Sequence, residues 1–148
     1  MIKKLLSLTI ISALMIGVIS PLSIGAAGGI TLFTPYTGTT VTPGESLTYD
    51  IEIMNDSSEV QRLKLSVDDL PKEWSYQLSS GSKTVSELAV APNSSENFTV
   101  DLEVPLQIEK GDYSFDVVAT SNNGTTTTLP ITVTISEEGT FQTDLTVD

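Results

Sequence analysis

The sequence predicts an all-β protein, a sandwich of about seven to eight antiparallel strands preceded by a cleaved signal helix. Three observations carry this. Tyr49-Asp50-Ile51-Glu52-Ile53 and Val100-Asp101-Leu102-Glu103-Val104 spell nearly the same strand, with apolar residues and carboxylates in alternation. A period of two belongs to a half-buried strand, because successive side chains point to opposite faces of a sheet. Turn residues recur at roughly 8–12-residue spacing, which is the rhythm of an Ig-like sandwich. Beyond the N-terminal apolar run, no stretch has the 3.6-residue period of an amphipathic helix.

The N-terminus reads as an export signal. Met1-Ile2-Lys3-Lys4 is a short cationic start, and Leu5 to Ile19 is almost wholly apolar. Small residues then lead to Ala27, so cleavage is expected between Ala27 and Gly28. The apolar run is short for a membrane span, which needs roughly 20 residues. Residues 28–137 are then the sandwich domain, and the mature chain would have 121 of the 148 residues. Loss of Lys3 and Lys4 moves the formal net charge from −12 to −14. So acidic a chain is no partner for nucleic acid, whose phosphates need clustered Lys and Arg.

The strands follow in order. Ile30 to Phe33 is an edge strand stopped by Pro35, where a missing N–H is tolerated. Val41-Thr42-Pro43-Gly44 is a turn, since proline presets φ and glycine can take φ > 0. Leu47, Tyr49, Ile51 and Ile53 then point inward, with Thr48, Asp50 and Glu52 outward. Asn55-Asp56-Ser57-Ser58 reads as a polar turn. Leu63, Leu65 and Val67 make the next strand. After Pro71, Trp74, Tyr76 and Leu78 share one inward parity. Gly81 marks a turn, and Val85 to Val90 is a weakly patterned strand or crossover. Phe98, Val100, Leu102 and Val104 form the echo strand, and Tyr113, Phe115, Val117 and Ala119 the next. Asn122-Asn123-Gly124 predicts a type I′ hairpin into the final strand, Leu129 to Ile135. The long connection from Leu78 to Phe98 favours a Greek-key crossing over an up-and-down barrel. Residues 138–148 read as a linker and the first strand of a following repeat, with Phe141, Thr143, Leu145 and Val147 alternating again.

There is no cysteine and no histidine. These absences remove disulfides, a cysteine nucleophile, the histidine-based serine triad and nearly all zinc chemistry. The chain therefore reads as a non-enzyme, with no catalytic residues, no cofactor-binding residues and no metal ligands.

Four further stretches bear on family. Thr42-Pro43-Gly44-Glu45-Ser46 precedes a strand ending at Asn55. Leu70-Pro71-Lys72-Glu73-Trp74 follows, then Leu88-Ala89-Val90-Ala91-Pro92-Asn93-Ser94-Ser95, then Val104-Pro105 leading to Lys110-Gly111-Asp112-Tyr113. Taken in this order over about residues 42–135, they resemble the NEW-three domain, an Ig-like module associated with bacterial alpha-galactosidases and carbohydrate-binding neighbours. Glu73 stands where that family often has glycine, and so does Asn93. Asparagine visits positive φ more readily than most residues. The resemblance implies a non-catalytic structural or interaction module of a secreted or surface-anchored bacterial protein. Its alternatives are a carbohydrate-binding accessory module of a glycoside hydrolase, or an extracytoplasmic domain of a transporter-associated membrane protein. The partners implied are cell-surface polysaccharide or neighbouring domains of the same chain, with a membrane anchor in a further C-terminal part.

Individual residues are read against structural roles. Trp74 is expected in the core with Tyr49, Leu65, Phe98 and Phe115, because aromatics carry large burial; this argues against a sugar platform built with Tyr36 or Tyr76. Tyr113 after Gly111-Asp112 suggests a tyrosine corner, its hydroxyl tied to backbone. Asn55, Asn93, Asn97 and Asn123 begin N-x-Ser/Thr sequons, which are only acceptor patterns. Asp50, Glu52, Asp101 and Glu103 are expected on one outward face of paired strands, close enough to repel. A solvated acidic face is favoured there over a Ca²⁺ site, since sheet side chains rarely wrap an ion.

Overall fold

Each apolar alternation ends at a proline or a polar turn, and ten strands result. The computed structural model describes residues 29–136; the expected signal cleavage at Ala27–Gly28 and the strand expected around Phe141 lie outside them. In chain order the strands are β1 (Ile30–Phe33), β2 (Gly38–Val41), β3 (Ser46–Asn55), β4 (Gln61–Asp68), β5 (Ser75–Ser80), β6 (Lys83–Thr84), β7 (Glu87–Val90), β8 (Ser94–Glu103), β9 (Gly111–Ser121) and β10 (Thr126–Ile135). Sheet I has the order β1-β3-β8-β5-β6 and sheet II the order β2-β10-β9-β4-β7. Without the short β2, β6 and β7, these are the two sheets of an Ig-type sandwich, four strands against three. The fold class is thus an Ig-like sandwich. The strands beyond the expected seven or eight include the four-residue β2 and the two-residue β6, too short to show a period.

One ladder departs from the antiparallel rule. After β1 the chain bends at Pro35 and crosses to sheet II, where β2 runs parallel to β10, Val41 abreast of Ile135. The first two strands therefore close one edge of each sheet. Pro130 sits in β10 opposite Asp116, outside the span that pairs with β2, where no ladder asks for its N–H.

The core lies where the inward residues meet. Tyr49, Ile51, Ile53, Phe98, Val100 and Leu102 of sheet I face Leu63, Phe115, Val117, Ile131 and Val133 of sheet II, and all are buried. Each such side chain contributes roughly 1.5–3 kcal/mol, which is how a chain without disulfides is held. Tyr49 meets the edge of Phe115 with ring centroids 6.2 Å apart. Its hydroxyl shares a hydrogen bond with Thr39 on β2, so the largest fully buried side chain also ties sheet I to sheet II.

Two local expectations need correction. The Asn122–Gly124 hairpin is not type I′, which needs φ > 0 at two central residues; only Gly124 takes one. The Gly124 N–H donates to the Ser121 carbonyl and the Ser121 N–H to the Thr125 carbonyl, the pattern of a three-residue loop closed by a glycine in the left-handed region. Asn123 Oδ1 accepts the Thr125 N–H, which holds that residue in the loop instead. Tyr76 keeps inward parity, opposite buried Leu102, yet it is 42% exposed. Beside it sheet I has already ended, because β6 pairs only with Ser79 and Ser80.

Asn55 is a buried strand end, not part of an exposed turn. The inward series Tyr49, Ile51, Ile53 simply continues to it. Its Nδ2 donates to the carbonyls of Glu59, Val90 and Ala91 at 2.8, 3.1 and 3.1 Å. Its Oδ1 accepts from the Ser57 N–H and hydroxyl at 3.0 and 2.7 Å. Glycan addition at this sequon would have to break the whole set.

The proline turns explain three of the residues with positive φ. Gly44 (φ 82°) takes the third position of the Thr42–Glu45 turn. Glu73 (φ 72°) holds the same position in Pro71–Trp74, closed by the Trp74 N–H on the Pro71 carbonyl. Asn93 (φ 49°) does so after Pro92. Both departures from family glycine therefore fall on positive φ.

Three outcomes follow from these contacts. Asn55→Asp keeps the shape but turns a donor toward three carbonyls into a negative charge, and should cost about 3–5 kcal/mol by urea unfolding. Glu73→Gly should stabilise by about 0.5–1 kcal/mol, because relief of the left-handed strain exceeds the added chain entropy of glycine. Burial pushes the Tyr49 phenol up, partly offset by the Thr39 hydrogen bond. The unfolded chain then loses this proton first, so the stability it confers is full below about pH 10 and declines as pH rises from there toward the folded value. A melting series from pH 8 to 11 should show that decline, and Tyr49→Phe should make it shallower.

Candidate functional site

The outward face of sheet I carries a group of polar side chains around an open groove. It is built by β3, β8 and β5, whose alternation puts Thr48, Asp50 and Glu52, then Asn97, Thr99, Asp101 and Glu103, then Ser75 and Gln77 on one side. The structure does bring Asp50, Glu52, Asp101 and Glu103 onto this face, because β3 and β8 are paired neighbours. The expected mutual repulsion is smaller than the sequence suggested. Asp50 lies opposite Thr99, Glu52 opposite Asn97, Asp101 opposite Thr48, and Glu103 opposite Ser46. Thr48 Oγ1 donates to Asp101 Oδ1 at 2.8 Å, and Thr99 Oγ1 to Asp50 Oδ1 at 3.3 Å. Each of these two aspartates is thus opposite a donor instead of a like charge.

Between β5 and β8 the face dips into an open groove of about 240 Å³, lined by Ser75, Tyr76, Gln77, Asp101 and Glu103. Two rungs of the ladder make its walls, Ser75 against Glu103 and Gln77 against Asp101. Gln77 Nε2 donates to Thr84 Oγ1 at 3.2 Å, which holds the carboxamide. The lining offers many acceptors, few donors and no cation. It suits hydroxyl or ammonium groups and repels anions. It contains no nucleophile paired with a base. Sequence reading passed over Ser75 and Gln77, and only their shared parity with each other could have marked them.

Trp74 is buried, its ring packed on Tyr113 with centroids 5.8 Å apart. Its Nε1 is buried without a hydrogen-bond partner among the described residues. The Tyr113 hydroxyl donates to the Glu109 carbonyl at 2.9 Å, four residues upstream, which fastens the 104–110 connection to β9. Both residues are structural in position. Tyr36 and Tyr76 do not form a platform. Tyr36 follows β1 at one edge of sheet I, while Tyr76 is on β5, three strand spacings from β1 and so roughly 14 Å away. Among the described residues no group of three or more His, Cys, Asp or Glu could hold a metal ion, and no helix is long and apolar enough to cross a membrane.

Comparison with known proteins places this geometry. Solved structures share the fold at low identity. A family 123 glycoside hydrolase from Clostridium perfringens superposes with a TM-score of 0.59 at 11% identity, over 74% of this chain and 28% of its own. Alpha-2-macroglobulin from E. coli gives 0.54 at 10% identity, over 74% and 7%. The secreted serine protease VesC from Vibrio cholerae gives 0.50 at 12% identity, over 75% and 23%. The chain thus spans less than a third of each of these proteins, and the likeness is one of fold. No curated protein matches the chain significantly. Residues 41–122 match a family model that begins at the first proline turn and ends in the Asn122–Gly124 loop, so it takes in the Pro71–Trp74 turn, the echo strand and the Tyr113 corner. The chain belongs to the family described as NPCBM-associated, NEW3 domain of alpha-galactosidase.

Proposed function

We propose that this chain is a non-catalytic accessory module of a secreted or surface-anchored protein, one that positions its neighbours instead of transforming a substrate. The observation that carries this reading is the family match across a sandwich whose conspicuous aromatic, Trp74, is spent on the core. Supporting it, the sequence lacks the histidine and cysteine of triad-type and thiol nucleophile sites. On this reading residues 1–27 are a signal peptide, residues 28–137 the module, and residues 138–148 a linker with the first strand of a following repeat. The location is extracellular or at the cell surface, and the partners are neighbouring domains of the same chain.

A second reading has one specific observation in its favour. The groove of Ser75, Gln77, Asp101 and Glu103 offers paired oxygen and amide groups of the kind that hydrogen-bond sugar hydroxyls, in a family associated with alpha-galactosidase. The one ring at the groove, Tyr76, is 42% exposed but by parity belongs to the opposite face of β5 from Ser75 and Gln77, which weakens the reading, since stacking contributes much of the affinity of open sugar sites.

One expression experiment tests both. The chain produced with its own leader in a bacterial host should be exported, with an intact mass that starts at Gly28. A soluble cytoplasmic product that retains Met1 would overturn the secreted reading. The exported protein should neither hydrolyse nitrophenyl galactosides nor be retained on immobilised galactan. Retention that is lost in Gln77→Ala would replace the first reading with the second.

A further inference from the structure

We propose that the free edge of β5 takes up an extended protein segment with a basic side chain on either side of an apolar one, adding it to sheet I as a further strand. Sheet I ends at β5 along Ser75–Gln77, because β6 pairs only with Ser79 and Ser80. Two hydrogen bonds fix which way the backbone of this edge faces. The Val104 N–H donates to the Glu45 carbonyl at 3.1 Å, so Val104 and, two residues back, Leu102 turn their peptide groups toward β3. Tyr76 stands opposite Leu102 and is therefore a rung without hydrogen bonds to β8. The Val85 N–H donates to the Leu78 carbonyl at 2.9 Å from the side away from β8, and Tyr76, two residues earlier, faces the same way. Both the N–H and the C=O of Tyr76 thus point out of the sheet edge, where no described residue hydrogen-bonds to them. The stretch has neither the proline nor the lysine that commonly blunts such an edge. The other edge strand of sheet I, β1, instead bends away at Pro35 and hands the chain to sheet II.

The side chains around this rung name the partner. A residue set against Tyr76 in an added antiparallel strand shares the face of its ring, and the residues on either side of it fall on the outward face, against Ser75 and Gln77. Behind Ser75 stands Glu103 and behind Gln77 stands Asp101, and these four side chains line the open groove of about 240 Å³. A basic residue at each flanking position lays its long stem across Ser75 or along Gln77 and brings its charge to the carboxylate behind. The central residue meets the ring of Tyr76, half bare where the sheet ends, which suits an apolar side chain. Main-chain bonds to the edge thus supply the attachment, and alternate side chains the choice of partner. Charge complementarity argues against a second copy of this chain as the occupant. Paired through the same edge about Tyr76, a second copy would set its own Ser75 and Gln77 at the flanking positions and leave both carboxylates without a cation.

The inference rests on the reading of the chain as a module that positions its neighbours and names what a neighbour must present, but its test is independent of export and of galactan retention. The probe is an end-blocked peptide, Thr-Lys-Val-Lys-Thr, added at low salt to the purified, isotope-labelled chain and followed by NMR. The Tyr76 amide resonance should shift and its exchange with solvent should slow. Asp101→Asn and Glu103→Gln should each weaken binding by up to roughly fivefold, and added NaCl should weaken it in the unaltered chain. Asparagine at position 101 can still accept the Thr48 hydroxyl, and an unmoved Trp74 indole N–H resonance reports an intact fold. The same peptide N-methylated at valine cannot donate to the Tyr76 carbonyl and should bind more weakly. Unaltered exchange at Tyr76, even where the resonances of Asp101 and Glu103 shift, would overturn the proposal, and so would equal binding of Thr-Glu-Val-Glu-Thr. A Tyr76 amide already protected before peptide is added would overturn it as well, because the edge would then be covered by the chain itself or by a second copy.

Discussion

The carboxamide of Asn55 is the contact on which the placement of the two sheets most depends. Apolar side chains hold two sheets together but set their mutual position only loosely, because hydrophobic attraction has no direction. Hydrogen bonds do have one. From the end of β3 in sheet I, Asn55 reaches the carbonyls of Val90 and Ala91, at the end of β7 in sheet II, and that of Glu59 in the loop ahead of β4. The same end gathers the chain start, through the Asp56 N–H on the Gly29 carbonyl, and the second proline turn, through the Asn93 N–H on the Ser57 carbonyl. A buried network of this kind is stabilising because every member is satisfied, and it would be costly if one were not.

The opposite end is built on other terms. There the Tyr113 hydroxyl and the laced turns do the fastening, while Glu73 holds a left-handed conformation that glycine would occupy more cheaply. Trp74 leaves its indole N–H buried without an acceptor, and Leu106 stands exposed. Left-handed strain and bare apolar surface are found at the Asn55 end too, at Asn93 and Val60, whereas the orphan indole donor belongs to this end.

Much of this was legible in the sequence because strand periodicity is a local property. The inward faces of β3, β4, β8 and β9 followed from alternation alone, and the four family stretches named the module. What escaped was set by contacts distant in sequence. Asn55 could have been suspected as the polar end of an inward series, but its acceptors on Val90 and Ala91 are 35 and 36 residues away. The switch of β1 into β2 left no period to read in four residues. Tyr76 has the right parity and the wrong exposure because the sheet happens to end beside it. The Asn-Gly dipeptide was read as a two-residue turn, yet the Asn123 side chain accepting the Thr125 N–H chose a three-residue loop. Groove residues Ser75 and Gln77 carried no signal of their own.

The echo of the two acidic strands shows how side chains select a register. A slip of two residues leaves every side chain on its own face, so the core alone discriminates weakly between neighbouring registers of this parity. Shifted by two, Asp50 would stand opposite Asp101, and Thr99 opposite Glu52. In the register adopted, Asp50 meets Thr99 and Asp101 meets Thr48, each carboxylate receiving a hydroxyl hydrogen bond. Directly opposed like charges disfavour a pairing by a few tenths of a kcal/mol to about 1 kcal/mol. The aspartate pair avoided therefore adds a preference against this slip. The ladder of β4 and β9 does set Asp68 against Asp116, but at the last rung, where Ser66 Oγ donates to Asp68 and the strand is about to end. Repulsion is tolerated where a side chain can turn away into water and avoided in the middle of a long ladder. The acidic face, expected from the sequence as a solvated surface, is better understood as part of what aligns β3 with β8.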